Sequence, residues 1–249
     1  MNSPIHSKSR GTHAAFTLIE LLVVIGIIGI LAALILSAIS GVNGKAIRTK
    51  CLSNLKQIAL GSQIYGNENR DRLPAMQGGN WAWDLPVTAS DVMLRSGLTQ
   101  DVMYDPGFPE MATLWNFAIA ASPPYRVIGF ALTFPGTASL IQTNTNPTLT
   151  PQQIQIGMLV LPAPDPSRRV LAAGATISMP GENNTANRAL NHYTGIMGGA
   201  AFPHRAAHLD QTGKMPLGDN VAMLDGSGKW RKFQDMTPRT QGASPVFWW

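Results

Sequence analysis

Charge is scarce in this chain, cysteine is nearly absent, and proline is missing from most of its first third. Charged residues make up 13% of the 249 positions, and the net charge is only +5. That small excess needs no nucleic acid to explain it, and no nucleic-acid partner is expected. A single cysteine, Cys51, excludes an intramolecular disulfide framework, so stability has to come from packing. No proline stands between Pro4 and Pro74, so one helix can run through most of that interval. Catalytic motifs are missing as well. There is no Gly-x-Ser-x-Gly, no His-Glu-x-x-His and no phosphate-cradling loop, and the glycines at 195–199 come without the lysine such a loop needs. No catalytic residue and no cofactor is expected, and the chain does not read as an enzyme.

What the sequence does hold is an apolar run at 21–39 with a carboxylate, Glu20, at its mouth. Glycine and alanine aside, positions 21–36 are entirely Leu, Val and Ile. As a helix the run is about 28 Å long, close to the hydrocarbon thickness of a bilayer. A charge beside such a segment is costly unless it meets a partner or the interface. Ahead of it lies a leader with Lys8 and Arg10, no acid, and Ala14-Ala15 at its end. A secretory signal peptide has a shorter apolar core and a cleavage site beyond it. A plain membrane anchor explains the run but leaves Glu20 and the residues before it without a reason.

The stretch Phe16-Thr17-Leu18-Ile19-Glu20-Leu21-Leu22-Val23-Val24-Ile25 closely resembles the N-terminal signature of type IV prepilins. The resemblance implies cleavage between Ala15 and Phe16, methylation of the new Phe16 amino group, and retention of the apolar helix. Where that family usually has glycine before the cut, this chain has Ala15. It also implies that Glu20 faces the free N-terminus of a neighbouring subunit and fixes the register of a filament. A second stretch, Lys50-Cys51-Leu52-Ser53-Asn54-Leu55-Lys56-Gln57-Ile58 followed by Arg72-Leu73-Pro74, resembles a pseudopilin-like family with large C-terminal domains. Members end in a His…Asp-Gly signature; here Asp225-Gly226 is present, and His208 precedes it at a wider spacing. The resemblance implies an α+β, pilin-like fold: a transmembrane helix continuing into an amphipathic helix on a small antiparallel sheet with loop-rich insertions.

The expected organisation is a leader at 1–15, a transmembrane and assembly helix at 16–40, an amphipathic continuation at 41–72, and a globular domain at 73–249. A bend is expected at Gly41–Gly44, where glycines weaken the helix. Beyond it, Ile47, Cys51, Leu55, Ile58 and Tyr65 recur on one face, with Leu52 and Ala59 beside them. Cys51 in this stripe reads as a small core residue. The expected partners are a prepilin peptidase/N-methyltransferase, other pseudopilin subunits, inner-membrane lipids and secreted cargo. The expected place is the bacterial inner membrane, single-pass, with the C-terminal domain periplasmic or extracellular. Lys45, Arg48, Lys50 and Lys56 run against the usual cytoplasmic bias of basic residues; the leader, whose peptidase acts on the cytoplasmic side, sets the orientation.

The 24 glycines and 18 prolines mark the rest as loop-rich, with short strands. Short elements are expected around 81–85, 91–98 and 113–121. Positions 154–161 and 169–175 read as buried strands, 142–151 as an exposed loop, and 220–224 with 229–233 as a hairpin turned by Asp225-Gly226. The terminal Phe247-Trp248-Trp249 is expected to dock on the domain or at a subunit interface. His204 and His208 have a zinc-binding spacing for a helix, but Pro203 and nearby glycines read as loop. Asp210, Asp219, Asn220 and Asp225 have the oxygens calcium wants at a spacing that matches no motif. No metal site is expected. The alternative function is a membrane-tethered polysaccharide-binding module using Trp81, Trp83 and Trp115.

Overall fold

The computed structural model describes residues 17–76, 81–198, 202–242 and 244–249; the side chains at 33 and 35–42 also fall outside the described set. Ala15, Phe16 and the leader lie outside these residues. The fold is α+β, with an N-terminal helix and small antiparallel sheets. The chain divides into two units, Met1–Lys45 and Ala46–Trp249.

Helix α1, Leu18–Glu68, is long because proline is absent from it, although its many Ile, Val and Gly residues are weaker helix formers. It ends at Asn69-Arg70-Asp71, where Arg70 and Asp71 adopt φ of 57° and 69°. The Asp71 N–H donates to the Gly66 carbonyl at 2.8 Å, and the Asn69 side chain donates to the Tyr65 carbonyl at 2.8 Å, so two of the last carbonyls are satisfied. Among the described residues no helix is long and apolar enough to cross a membrane. The transmembrane segment expected at 16–40 includes side chains that are not described.

In the second unit α1 buries one face. Cys51, Leu55, Ile58 and Ala59 are fully buried, as the spacing predicts, while Ile47, Leu52 and Tyr65 are half-buried. Burying Leu55 or Ile58 contributes about 1.5–3 kcal/mol each. Asn54 and Ser62 share the buried face; the Asn54 amide donates to the Tyr104 carbonyl at 2.9 Å and the Ser62 hydroxyl to the Ile58 carbonyl at 2.8 Å.

After α1 come β1 (Asp84–Pro86), α2 (Val87–Arg95), β2 (Tyr125–Val127), β3 (Phe130–Leu132), β4 (Ile154–Ile156), β5 (Leu159–Leu161), β6 (Val170–Gly174), β7 (Thr176–Ser178), β8 (Gly218–Met223), β9 (Gly228–Lys232) and β10 (Val246–Trp248). The central antiparallel sheet has the order β3-β6-β8-β9, and β1-β2, β4-β5 and β7-β10 form separate ribbons. Strands β6 and β8 are buried along their whole length; β6 reads accordingly as small and apolar residues, while β8 carries the buried polar pair Asp219-Asn220. The second half of α1 is tied to β8 and its turn: the Asn220 side chain donates to the Arg48 carbonyl at 2.8 Å, and Gln63 donates to the Leu224 carbonyl at 3.0 Å.

The β8–β9 hairpin forms as expected. Gly226 takes φ of 82°, and the Asp225 carboxylate accepts from the Ser227 N–H at 2.9 Å. The second strand stops at Lys232, where a short 3₁₀ turn, Phe233–Asp235, begins. The terminal aromatics dock as β10 on β7, and Phe247, Trp248 and Trp249 are all buried.

Three expectations need correction. Positions 154–161 are not a buried strand but an exposed hairpin, because Gly157 at φ of 58° folds the run back on itself and nothing described covers it. Positions 142–151 are not simply an exposed loop, because Asn146 is buried and donates to the Thr133 hydroxyl and Val170 carbonyl at 2.6 and 2.7 Å. The element expected at 91–98 is α2, and it begins earlier, at Val87.

Candidate functional site

Two places in the chain carry chemistry beyond packing. The first is the start of α1. Glu20 sits in its first turn, and one carboxylate oxygen accepts from both the Thr17 N–H and the Thr17 hydroxyl at 2.8 Å. The Thr17 hydroxyl accepts in turn from the Glu20 N–H at 3.3 Å. This is a reciprocal capping box: two backbone donors that the helix leaves unpaired are satisfied by two side chains three positions apart. The signal was legible as Thr-x-x-Glu ahead of an apolar run. The described large apolar side chains from Leu18 to Leu34 are 45–81% exposed, and they lie all round the helix. The cleavage residues Ala15 and Phe16 fall outside the described residues, so Glu20 alone of the expected assembly and processing residues is placed.

The second place is a buried polar cluster under α1. Cys51 comes from the helix, Asp105 from the loop after the 3₁₀ turn Gln100–Met103, His208 from the loop before β8, and Asp219 from β8 itself. The Cys51 thiol donates to the Asp105 Oδ2 at 2.8 Å and stands 3.7 Å from the Asp219 Oδ1. The His208 Nε2 lies 3.2 Å from the Asp105 Oδ2 and 3.5 Å from the Asp219 Oδ1. None of the four residues is more than 7% exposed.

Local chemistry holds each group in place. The Asp105 Oδ1 accepts from the Gly107 N–H at 2.7 Å, which turns its other oxygen toward the cluster. Asp219 accepts from its neighbour's N–H at Asn220 at 2.8 Å and from the Thr176 hydroxyl at 3.3 Å. The His208 ring packs edge-on against Trp230, 5.2 Å between centroids, and the Arg48 guanidinium stacks over the same Trp230 at 4.1 Å. Gly174 on β6 leaves the space Asp219 occupies: a Cβ there would stand 1.9 Å from the Asp219 Oδ1.

The groups displace one another's protonation. Burial, then the carboxylates of Asp219 and Asp105, push the Cys51 thiol far above its ordinary range. Burial, with Asp105 beside it, raises Asp219 to about 7 against the opposing pull of His208. For His208 burial works downward, but Asp219 and Asp105 outweigh it and raise the imidazole.

The metal candidates suggested by spacing come apart. His204 does not share a helix face with His208; its ring lies 5.1 Å from each of Trp81 and Trp83, where burial lowers its basicity. Asp210 is half-buried and accepts from the Thr212 hydroxyl at 2.7 Å, and Asp225 serves the β8–β9 turn. Only Asp219 of the four calcium candidates joins the buried cluster, with Asn220 turned to Arg48. The tryptophans proposed for sugar stacking are also spent internally: Trp83 and Trp115 are buried, and Trp81 is half-buried against Trp83 at 5.1 Å. Asp105 was missed because nothing near it in sequence resembles a site.

No curated protein matches the chain, and no solved structure does. The family model that matches is the prokaryotic N-terminal methylation motif, over residues 10–36. The chain therefore carries a type IV pilin-like prepilin motif, which implies processing by a prepilin peptidase and assembly with pilin-like subunits.

Proposed function

We propose that this chain is a pseudopilin-like subunit of a type II secretion-like or type IV pilus-like filament, anchored in the bacterial inner membrane. The peptidase cuts between Ala15 and Phe16 and the Phe16 amino group is methylated. The segment 16–40 spans the membrane and then packs among like helices, and the second unit faces the periplasm or the exterior. The observation that carries this reading is the methylation motif at 10–36, which brackets Glu20. The exposed apolar shell of α1 from Leu18 to Leu34 supports it, because a helix apolar all round needs lipid or neighbouring helices to cover it.

Glu20 gives the assembly step its chemistry. A carboxylate within a membrane helix costs about 2.5–3.5 kcal/mol on insertion scales. The methylated amino group of a neighbouring Phe16 at the same depth offsets that cost and sets the register between subunits. The test is co-expression of tagged wild-type and Glu20→Ala chains with the assembly machinery. Equal membrane insertion with loss of the mutant from filaments is expected; equal incorporation of the two would sink the proposal. The filament reading is preferred to a sugar-binding module because Trp83 and Trp115 are buried and Trp81 packs half-buried against Trp83.

A further inference from the structure

The buried cluster is built more elaborately than packing requires. Three stretches far apart in sequence converge there, around Cys51, around Asp105 and at 208–219, with 168 positions separating Cys51 from Asp219. They place one sulfur, one imidazole nitrogen and two carboxylate oxygens within 4.8 Å of one another. The His208 Nε2 is the telling atom. His208 is only 7% exposed, its Nε2 points between two carboxylates, and yet among the described residues it has no hydrogen-bond partner of acceptable geometry. A buried nitrogen left without a partner is destabilising, so the position invites a ligand. Two buried carboxylates leaning on a single imidazole are also short of positive charge.

We propose that Cys51, Asp105, His208 and Asp219 form a zinc-binding centre, each giving one ligand: Sγ, Oδ2, Nε2 and Oδ1. A tetrahedron with metal–ligand legs of about 2.0–2.3 Å has edges of about 3.3–3.7 Å. Three of the cluster's separations, 3.2, 3.5 and 3.7 Å, lie close to that range. A fourth, 2.8 Å between Cys51 and Asp105, is shorter and opens as a cation enters between them, and the remaining two of the six edges are within 4.8 Å. Thiolate with imidazole selects a borderline transition metal over calcium or magnesium, which take six or more oxygens. As the dication binds, the Cys51 thiol proton and the proton that the protonated imidazole carries on Nε2 both pass to water, and the freed Nε2 lone pair takes the metal as its partner. With four protein ligands and no open position the centre is structural, clamping α1 to β8 and to the two intervening loops. The inference does not depend on filament assembly, and either can fail without the other.

The test uses the full chain in detergent micelles, freed of metal by a chelator and then titrated with zinc chloride or with cobalt(II). One zinc per chain is expected, with a higher melting temperature than the chelated protein. Cobalt should give a thiolate-to-metal charge-transfer band. Because Cys51 is the chain's only cysteine, that band reports Cys51 without any mutation. His208→Gln should weaken cobalt binding at least tenfold. Absence of stoichiometric zinc, cobalt binding without the thiolate band, or unchanged affinity in His208→Gln each overturns the proposal. Should His208→Gln fail to fold, the wild-type cobalt spectrum decides alone.

Discussion

Glu20 combines two properties that a truncation to alanine removes together: a charge, and the N-terminal capping of α1 through Thr17. Glutamine can fill the same position of a capping box but carries no charge. In the proposed filament Glu20→Gln should therefore start the helix normally, as seen by hydrogen exchange at the first turn, and still fail to assemble. Assembly at the wild-type level would mean that the capping box, not the charge, is what the filament uses. Thr17→Ala is the converse, expected to weaken the helix start by about 0.5–2 kcal/mol while keeping the charge. In the buried cluster, Gly174→Ala drives a methyl group into the Asp219 carboxylate. A loss of about 1–3 kcal/mol is expected in denaturant unfolding, and a variant as stable as wild type would show that Asp219 is free to move. The capping box was legible because its partners are three positions apart. The cluster was not, because Cys51 and Asp105 are 54 positions apart and meet only through the loop after Met103. Periodicity placed Cys51 on the buried stripe and could not say that its neighbours there are polar.

Elements differ sharply in how much they hold. Strand β10 completes a ribbon with β7, and the Trp248 indole N–H donates to the Ser178 hydroxyl at 2.8 Å. Trp248→Ala should cost about 3–5 kcal/mol in denaturant unfolding, since the side chain is fully buried and its loss leaves a cavity and removes the donor to the Ser178 hydroxyl. The β4–β5 hairpin is the opposite case. Val160 is 53% exposed, so Val160→Thr should change stability by no more than about 0.5 kcal/mol. A large effect would mean that the hairpin is covered in the native assembly. These elements also show what sequence patterns reach. The β8–β9 hairpin was legible because Asp225-Gly226 fixes a turn locally. Positions 154–161 were assigned to the interior because an apolar run has the same appearance whether or not another layer covers it; Gly157 was the missed sign of a turn. Asn146 went inside for a reason no local pattern carries: the Arg169 guanidinium and the Val170 carbonyl, over twenty positions away, both bond to it.

At the scale of the whole molecule the two units pose different physical problems. The second unit, Ala46–Trp249, buries its apolar residues around a small sheet and the α1 stripe. In the first unit, the described apolar side chains of α1 lie open on every side. Such a surface demands lipid or other copies of the same helix, and that demand is what links the methylation motif to assembly. The proposed filament therefore rests on two covalent events, removal of the leader at Ala15 and methylation of the amino group it exposes. The decisive measurement is the mass of the mature N-terminal peptide, taken from chain expressed in cells that carry a prepilin peptidase. A peptide beginning at Phe16 and bearing one added methyl group is the predicted result. An intact Met1, or a chain beginning beyond the apolar run near Ser40, would contradict it.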